Sequence, residues 1–355
     1  MLSKFKWCKF GDCNLEDSFF DSLKSDYTEF PAWFEKKIAE GEKAFVFEDN
    51  AKIKAFVYLK EEDEEILLQG CNLPKEKRLK IGTLKLSDDI QGQRLGEGAI
   101  GVSLWHWQSI KVNQVYITVF EKHKKLIRML EQFGFECAGN NVRGEKVYLK
   151  DKRYLKYDSP YKAFPYLNNK AECCGYIPIN DEFHDTLFPY SELYNTKQEP
   201  EEIAAANGMT KIFIATPSSR LSYKCGEPVL IYRKHTGGQA TYKSVITSYC
   251  SIIKQIDIKR YGQPMVAFDE FMELVGNKTV YSEIELKGIY NNSRNVVVLA
   301  MIYNGYLGKG KNINHKTLKD YGWFEGYPYT NKLPIEQLKS ILRMGGKNVQ
   351  DIIVD

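Results

Sequence analysis

The sequence predicts an α/β protein built from two domains, and three observations support this prediction. The chain has 355 residues, which is long for one domain and ordinary for two. Its 43% hydrophobic and 27% charged residues are the balance of a folded globular protein. Helix-like and strand-like apolar periods alternate over residues 1–150, whereas strand-like runs dominate residues 209–355.

The pattern of residues 1–150 favours a mixed sheet with flanking helices. Short apolar runs surround the polar turn Asp49-Asn50, which predicts a hairpin. Gly134 follows a helical period and marks a helix end. The expected elements are hairpin strands at 43–48 and 53–60, strands at 65–71 and 78–86, a helix at 96–108, a strand at 112–120, a helix at 122–133 and a strand at 146–150.

The remaining chain reads as two further parts. Residues 151–208 are rich in aromatics and prolines without a clean period, and we interpret them as an ordered connector lying on a neighbouring domain. Residues 209–355 predict a small β-rich domain with helices. Its expected strands are 211–215, 228–233, 243–256 and 295–303, and its expected helices are 269–274 and 335–342.

The composition excludes several classes of protein. The eight cysteines are scattered without C-x-x-C pairs, so neither a zinc ribbon nor a disulfide framework is indicated, and we expect no metal. No apolar run approaches the roughly 20 residues that span a bilayer, and the N-terminus has no apolar signal core. A formal charge of +4 does not by itself mark a nucleic-acid binder. We expect a cytoplasmic protein without a membrane partner.

The segment most informative about chemistry is the turn between the expected strand 78–86 and the expected helix 96–108. It reads QGQRLGEG, and its glycines let the backbone approach an anion and adopt positive φ. Consecutive N–H groups and the positive end of the helix dipole would face that anion. We predict a pyrophosphate-binding turn formed by Leu86, Gln91, Gly92, Gln93, Arg94, Leu95, Gly96, Glu97 and Gly98.

This turn resembles the signature of the GNAT family of N-acetyltransferases, Gln/Arg-x-x-Gly-x-Gly/Ala between the fourth strand and the third helix. Gln91 and Gly96, flanked by Gly92 and Gly98, match it. Arg94 stands where the first signature glycine usually lies, and an arginine there can reach a phosphate of coenzyme A.

The strand, helix, Gly-Phe pair and final strand that follow are similar to the second half of the GNAT fold. The resemblance covers residues 1–150 and implies a GNAT-type mixed sheet with acetyl-CoA as co-substrate. In that family the splayed ends of the fourth and fifth strands admit the pantetheine arm.

The resemblance leaves the catalytic groups open. Family members often use a tyrosine four residues before the Gly-Phe pair as the general acid, and that position is Leu130 here. Tyr116 or Tyr148 would then substitute, water would, or the domain acylates without a general acid. Asp89 is a candidate base, and a solvated turn is the alternative. His123 is a candidate CoA contact or proton shuttle, and a polar residue near a helix start is the alternative.

Residues 209–345 resemble the PUA-like group of small β-barrels, which includes the PUA, ASCH and EVE domains. The segment KCGEPVLIYR, residues 224–233, carries this resemblance. Such domains commonly bind RNA or a modified base, and the segment and the later glycine loop mix basic with aromatic residues. The candidate nucleic-acid contacts are Arg220, Tyr232, Arg233, Lys309 and Lys311, and a solvated surface with tyrosines in the barrel core is the alternative.

We therefore predict a GNAT-type mixed sheet followed by a PUA-like β-barrel domain, acting as an acyl-CoA-dependent N-acyltransferase associated with RNA, tRNA or another nucleic acid. One alternative is a catalytically degenerate CoA-binding domain fused to a nucleic-acid-binding module. Another is a small-amine or protein acetyltransferase in which the barrel is a scaffold. An antitoxin-like partner, by analogy with toxins of this fold, and a homodimer are further expectations.

Overall fold

The computed structural model describes residues 4–90, 92–191 and 204–354. These residues divide into two compact units, one spanning Ser3–Tyr154 and one containing Leu155–Asp355. Each unit is built on a mixed sheet that carries helices, so the prediction of an α/β chain is confirmed. No helix within these ranges is long and apolar enough to cross a bilayer.

The first unit alternates strands and helices much as its apolar periods predict. Its elements are β1 (Lys6–Lys9), α1 (Asp21–Asp26), α2 (Phe30–Ala39), β2 (Lys43–Asp49), β3 (Lys52–Ile66), β4 (Leu73–Leu86), α3 (Leu95–Ser109), β5 (Gln114–Val119), α4 (Lys124–Gln132), β6 (Glu136–Asn140) and β7 (Lys146–Asp151).

The predicted β2–β3 hairpin is confirmed. Asn50 and Ala51 form its turn with φ of 48° and 59°, the left-handed pair that matches the twist of the flanking strands. The separate strand expected at residues 65–71 is wrong. Glu65 and Ile66 end β3, which pairs with β4 as far as Ile66 opposite Leu73, so the intervening residues form a hairpin loop.

The first sheet has the strand order β1-β2-β3-β4-β5-β7-β6. Every neighbouring pair is antiparallel except β4 and β5, which run parallel because α3 connects them as a crossover. Helix α3 packs on β3 and β4 and contacts α4. This arrangement places the turn before α3 at the carboxyl end of β4.

A cluster of aromatic side chains fills the space between α2 and the first strands. Phe10, Phe20, Phe34 and Phe56 are all fully buried, and the ring centroids of their contacting pairs lie 4.9 to 6.3 Å apart. Edge-to-face packing of this kind stabilises a core beyond the area it buries. The cluster therefore anchors β2 and β3, on which the rest of the sheet is built.

The second unit is richer in strands. Its elements are α5 (Pro160–Ala163), β8 (Cys173–Asn180), α6 (Asp181–Leu187), α7 (Ala204–Asn207), β9 (Thr210–Ala215), β10 (Pro228–Lys234), α8 (Ala240–Lys243), β11 (Val245–Arg260), β12 (Gln263–Pro264), α9 (Phe268–Val275), α10 (Glu283–Asn292), β13 (Val296–Tyr306), β14 (Ile313–Asn314), α11 (His315–Asp320), β15 (Leu333–Pro334) and α12 (Ile335–Met344).

The second sheet has the order β15-β8-β10-β11-β13-β9, with β12 and β14 paired to β11. Strand β8 lies inside the segment expected to be a connector, but it pairs in parallel with β10 and antiparallel with β15. The structure thus places residues 173–180 within the sheet. Their aromatic and apolar side chains are buried because they belong to this core, as Tyr176 and Ile177 show at 0% exposure.

Candidate active site

The parallel pair β4–β5 opens partway along its length. Its register runs from Arg78 opposite Gln114 to Ile81 opposite Ile117, whereas β4 continues to Leu86 and β5 to Val119. Beyond the last pair, β4 lies in the middle of the sheet and yet its residues 82–86 are exposed or half-buried. A central strand with an accessible stretch offers backbone groups to an extended ligand.

The chain turns at the carboxyl end of β4 and enters α3. Gly92 has φ of 87° and exposed Gln93 donates its N–H to the Ile90 carbonyl, while Gln91 lies outside the described residues. Arg94 is the N-cap of α3 and adopts a left-handed backbone, with φ of 59°. The first N–H groups of a helix have no partner within it, and they give this end a partial positive charge.

The Arg94 side chain folds against the first turn of α3. Its Nη2 forms a short ion pair with the Glu97 carboxylate, and the two side chains are 8% and 15% exposed. Its other terminal nitrogen, Nη1, is buried and has no hydrogen-bond partner among the described residues. A buried guanidinium N–H without an acceptor is unfavourable, so this group fits an external anion.

The predicted glycines divide into two roles. Gly92 needs its positive φ, and a Cβ there would meet nothing within 4 Å. Gly96 has a different role, because a Cβ would lie 3.0 Å from Met129 Cε and 3.2 Å from Leu86 Cδ1. Leu95, Gly96 and Gly98 are buried. Gly96 thus serves the packing of α3 against β4 and α4.

The predicted catalytic residue Tyr116 lies on β5 just before the strands diverge. Its hydroxyl donates a short hydrogen bond to Glu62 Oε2 on β3. Burial, and to a smaller extent this carboxylate, raises the pKa of Tyr116 well above its usual range. Burial alone would raise the pKa of Glu62, but bonds from Tyr116 and Lys60 and the nearby Lys80 ammonium lower it overall. The carboxylate is therefore ionised, and the phenol is held neutral.

Sequence reasoning missed Glu62. The available signal was alternation, since Glu62 and Glu64 share a face of β3, but the face itself is set by the pairing of β3 with β4. Both line a pocket of about 190 Å³, together with Tyr116 and Thr118 of β5. The pocket thus reaches the point where β4 and β5 separate.

Charge in this pocket is uneven. Four glutamates line it against two cations, Arg78 and Lys80. Arg78 is 2% exposed and donates hydrogen bonds to the backbone carbonyls of Glu64 and Pro74. Glu64 lies directly opposite Glu76 in the β3–β4 register and has no ion-pair partner in the part of the chain that the structure describes. Glu76 already pairs with Arg78 and Arg153, whereas the Glu64 carboxylate can attract a cation to the pocket. The lining glutamates are Glu62, Glu64, Glu65 and Glu76.

The other predicted catalytic groups lie elsewhere. Asp89 is exposed and forms a short ion pair with Lys54, and this hydrogen bond, with a second from Ser87, lowers its pKa. Asp89 is also outside the set of residues that line the pocket. His123 is exposed and is the N-cap residue of α4, although its side chain makes no capping hydrogen bond.

Leu130, which occupies the position where the family often has a tyrosine, lies in the apolar core. Leu130 is fully buried on α4, so it contributes packing alone. Tyr148 on β7 donates a hydrogen bond of 2.9 Å to Glu131 Oε1, and burial with this contact raises its pKa to about 12. Tyr148 pairs with Ile117, one residue along from Tyr116, and therefore faces the opposite side of the sheet.

The structure separates the predicted nucleic-acid contacts into two groups. Arg220, Lys309 and Lys311 are exposed. Tyr232 is 6% exposed and its hydroxyl lies 3.1 Å from His315 Nδ1, and Arg233 holds Asp185 with bonds of 2.7 and 2.8 Å. The Tyr232 hydroxyl and the Arg233 guanidinium already have hydrogen-bond partners within the protein, so these two side chains are poor candidates for contacting nucleic acid.

Comparison with known proteins gives structural likeness alone. No family model matches the chain, and no curated protein matches it. A GNAT-family acetyltransferase from Streptococcus agalactiae is 15% identical, with 37% of this chain and 79% of that chain covered and a TM-score of 0.30. An N-acetyltransferase from Staphylococcus aureus is 14% identical, with 41% and 96% covered and a TM-score of 0.31.

A mutant of the ZmASCH protein from Zymomonas mobilis is also similar. It is 10% identical, with 47% of this chain and 95% of that chain covered and a TM-score of 0.31. Because these three identities are below 25% and these TM-scores are below 0.5, we infer the chemistry of the chain from its own side chains.

Proposed function

We propose that the first unit is a CoA-dependent N-acyltransferase whose acceptor is a positively charged amine. The observation that carries this proposal is the opening between β4 and β5, which begins after Ile81 and Ile117. The N-terminus of α3, which suits a phosphate group, follows the carboxyl end of β4. The acidic pocket borders the opening on the face of Tyr116 and Thr118.

The residues present fit an acyl-CoA thioester as substrate. The accessible stretch of β4 at residues 82–86 would pair with the amides of the pantetheine arm as a further strand does. The turn at Gly92 and the first turn of α3 would hold the diphosphate. The thioester would then lie near Thr118, at the mouth of the pocket.

The proton chemistry falls to the pair formed by Glu62 and Tyr116. An amine enters as an ammonium ion and must lose a proton before its nitrogen attacks the thioester carbonyl. Glu62 accepts this proton, directly or through the Tyr116 hydroxyl that bonds to it. The C–N bond forms as the C–S bond breaks. The second proton of the amine goes to the thiolate, and Glu62 returns its own proton to solvent.

The charge of the pocket selects among acceptors. Glu64 and Glu65, which have no ion-pair partner in the described ranges, would hold an ammonium group and repel the phosphates that flank an amine in nucleic acid. We therefore favour a small cationic amine, or a lysine or α-amine of a protein, over an amine of RNA as acceptor.

The test is release of the CoA thiol from acetyl-CoA in the presence of alkyl diamines, lysine peptides and aminoacyl-tRNA. We expect turnover with the cationic amines. The Glu62→Gln variant should keep its affinity for acetyl-CoA and lose turnover by about 100-fold or more, the contribution of a general base. Glu61→Gln is the matched control, since Glu61 is the exposed neighbour on the other face of β3. Equal loss in both variants, or no wild-type turnover with any amine, would contradict the proposal.

A second candidate function concerns the second unit. Lys309 and Lys311 are exposed on the loop before β14 and α11, and Tyr321 after α11 is 59% exposed and stacks on Trp323 at 4.6 Å. Basic residues and an exposed ring within one short stretch of the chain favour single-stranded nucleic acid. A Lys309→Glu/Lys311→Glu double variant should weaken RNA binding and reduce its salt dependence. RNA binding that is unaffected by these changes would exclude this surface.

A further inference from the structure

We propose that the tip of the β3–β4 hairpin folds over the acidic pocket as a flap and limits the acceptor to small free amines, with Leu68 as a specificity-determining residue. The flap comprises residues 64–75, which are the last residues of β3, the hairpin loop and the first residues of β4. The proposal rests on the proposed acyltransferase function and narrows the class of its acceptor. The base and the tip of the flap lie at opposite ends of β5, and this geometry supports the proposal.

The base of the flap lies beyond the amino end of β5. Strand β5 first pairs with β4 at Gln114 opposite Arg78, whereas β3 and β4 stay paired as far as Ile66 opposite Leu73. Because β4 and β5 run parallel, residues 73–77 of β4 precede the start of β5. The hairpin therefore leaves the sheet at this end.

The tip of the flap lies near the other end of β5. Leu68 forms an antiparallel bridge with Asn141, the first residue after β6. The last residue of β6, Asn140, pairs with Lys146, which pairs with Val119 at the end of β5. A hairpin that leaves the sheet at one end of β5 and contacts it near the other end folds back over the face between them.

Leu68 attaches the flap to that face. Its side chain is 8% exposed and belongs to a buried cluster with Tyr116 and Val147. A Cβ at Gly139 would lie 3.4 Å from Leu68 Cδ1, so the leucine also packs on the backbone of β6. Next to it, Gln69 donates its N–H to the carbonyl of the last residue of β6 at 2.8 Å. The attachment thus depends on a buried leucine and on backbone contacts beside it.

Arg78 fixes the base of the flap. Its guanidinium donates to the Pro74 and Glu76 carbonyls of β4 at 2.8 and 3.2 Å. It also donates to the Glu64 carbonyl of β3 at 3.0 Å, so it joins both strands of the hairpin. Because Arg78 holds the base and Leu68 holds the tip, the height of the flap above the sheet is set by these two residues.

The space under the flap is small. The pocket lies between residues of the flap and residues of the sheet, which include Glu64, Glu65, Ile66 and Leu67 on one side and Tyr116, Thr118 and Asn141 on the other. Its volume of about 190 Å³ is close to that of a cavity of about 150 Å³ that holds benzene, so it accommodates roughly six to eight non-hydrogen atoms. A short alkyl diamine fits this volume. The main chain around a protein lysine and the nucleotide around an RNA amine exceed it.

The experiment compares the wild type with Leu68→Ala, which weakens the attachment of the flap, and with Val142→Ala as control. Val142 follows Asn141 in the β6–β7 turn and is 75% exposed, so its truncation removes apolar atoms and leaves the attachment in place. The kcat/KM for acetyl transfer is measured with butanediamine and with a short lysine peptide. We expect the wild type and Val142→Ala to prefer the diamine. Leu68→Ala should reduce this preference by about 10-fold or more, because loss of a buried leucine contact lets the flap open for the peptide.

A second variant keeps the test valid if Leu68→Ala does not fold. Asn72 is exposed and its Oδ1 accepts the Leu68 N–H at 3.0 Å, so Asn72→Ala loosens the loop without removing a buried side chain. Hydrogen exchange of residues 67–72 reports the opening of the flap in either variant.

The outcomes separate the two proposals. A preference for the diamine that stays unchanged in the folded variants overturns the flap as a size filter and leaves the acyltransferase standing. Wild-type protein that acylates the peptide as fast as the diamine has the same consequence. Wild-type protein that acylates neither amine overturns the acyltransferase, and the size filter with it.

Discussion

The Tyr116 hydroxyl on β5 donates a hydrogen bond to the Glu62 carboxylate on β3, across the full width of β4. This contact joins two residues that are 54 positions apart in the chain, and it lines the pocket beside the opening of the sheet. It also fixes the protonation of both groups, because the pKa of the phenol is raised and that of the carboxylate is lowered. A neutral donor and an ionised acceptor therefore face the proposed amine.

The first prediction concerns the pH dependence of this pair. The lowered pKa of Glu62 places the acid limb of the pH–rate profile below the ordinary pKa of a glutamate. Tyr116→Phe removes a bond that stabilises the ionised carboxylate, so the limb should move to higher pH. The profile of kcat/KM for both proteins measures this, with Tyr148→Phe as control. A limb that stays in place would show that Glu62 does not titrate in the reaction.

The second prediction concerns Gly96. Since a Cβ would meet Met129 and Leu86, Gly96→Val should lower the free energy of unfolding by about 1–3 kcal/mol through overpacking. Gly288→Ala, within α10, is the control, because nothing lies within 4 Å of its Cβ. It should stabilise the protein by up to about 1 kcal/mol. Chemical denaturation, with hydrogen exchange assigning the change to each unit, distinguishes the two results. Equal effects of the two substitutions would exclude packing as the role of Gly96.

The third prediction uses the β2–β3 turn. Ala51 has φ of 59°, which costs an alanine roughly 1–2 kcal/mol. Ala51→Gly should therefore raise the melting temperature of the first unit. Asn50→Gly at the neighbouring left-handed position should give a smaller gain, because asparagine tolerates this conformation. A loss of stability in Ala51→Gly would contradict the turn geometry.

The fourth prediction concerns the buried ion pair of the second unit. Asp185 accepts two bonds from Arg233 and lies 2.8 Å from His184 Nδ1. Asp185→Asn removes the carboxylate that accepts both Arg233 bonds and leaves Arg233 only the longer ion pair with Asp181 at 3.9 Å, so it should cost up to about 3–5 kcal/mol. Asp257→Asn breaks the more exposed pair with Arg260 and should cost at most about 1 kcal/mol. Urea denaturation of both variants measures the difference, and similar costs would refute the buried role.

The same cluster predicts acid sensitivity. Burial alone would raise the pKa of Asp185, but its bonds to Arg233 and His184 lower it to about 2. Its stabilising contribution is complete above the unfolded value of about 3.9 and is lost as pH falls towards 2. Burial lowers the pKa of His184, so the unfolded state gains a proton first and stability falls below about pH 6.5. Denaturation at pH 7, 5 and 3 checks both steps, and constant stability would contradict them.

Much of the fold was predictable from the sequence because its causes are local. The turn at Asn50, the apolar period of α4 and the break at Gly134 each depend on neighbours in the chain. The turn before α3 was predicted as an anion site from its glycines, and the left-handed backbone of Arg94 there agrees with a position suited to glycine. Strand β8 was missed because its burial depends on β10, more than 40 residues away.

The sequence by itself predicted most strands and helices of the first unit and the glycine-rich turn before α3, because periodicity and turn chemistry act over a few residues. The tertiary structure alone decided which side chains meet. It paired Tyr116 with Glu62, placed Gly96 against Met129 and buried Arg233 beside Asp185. These relationships follow from strand register and helix packing, which bring distant residues to one face and cannot be read from spacing along the chain.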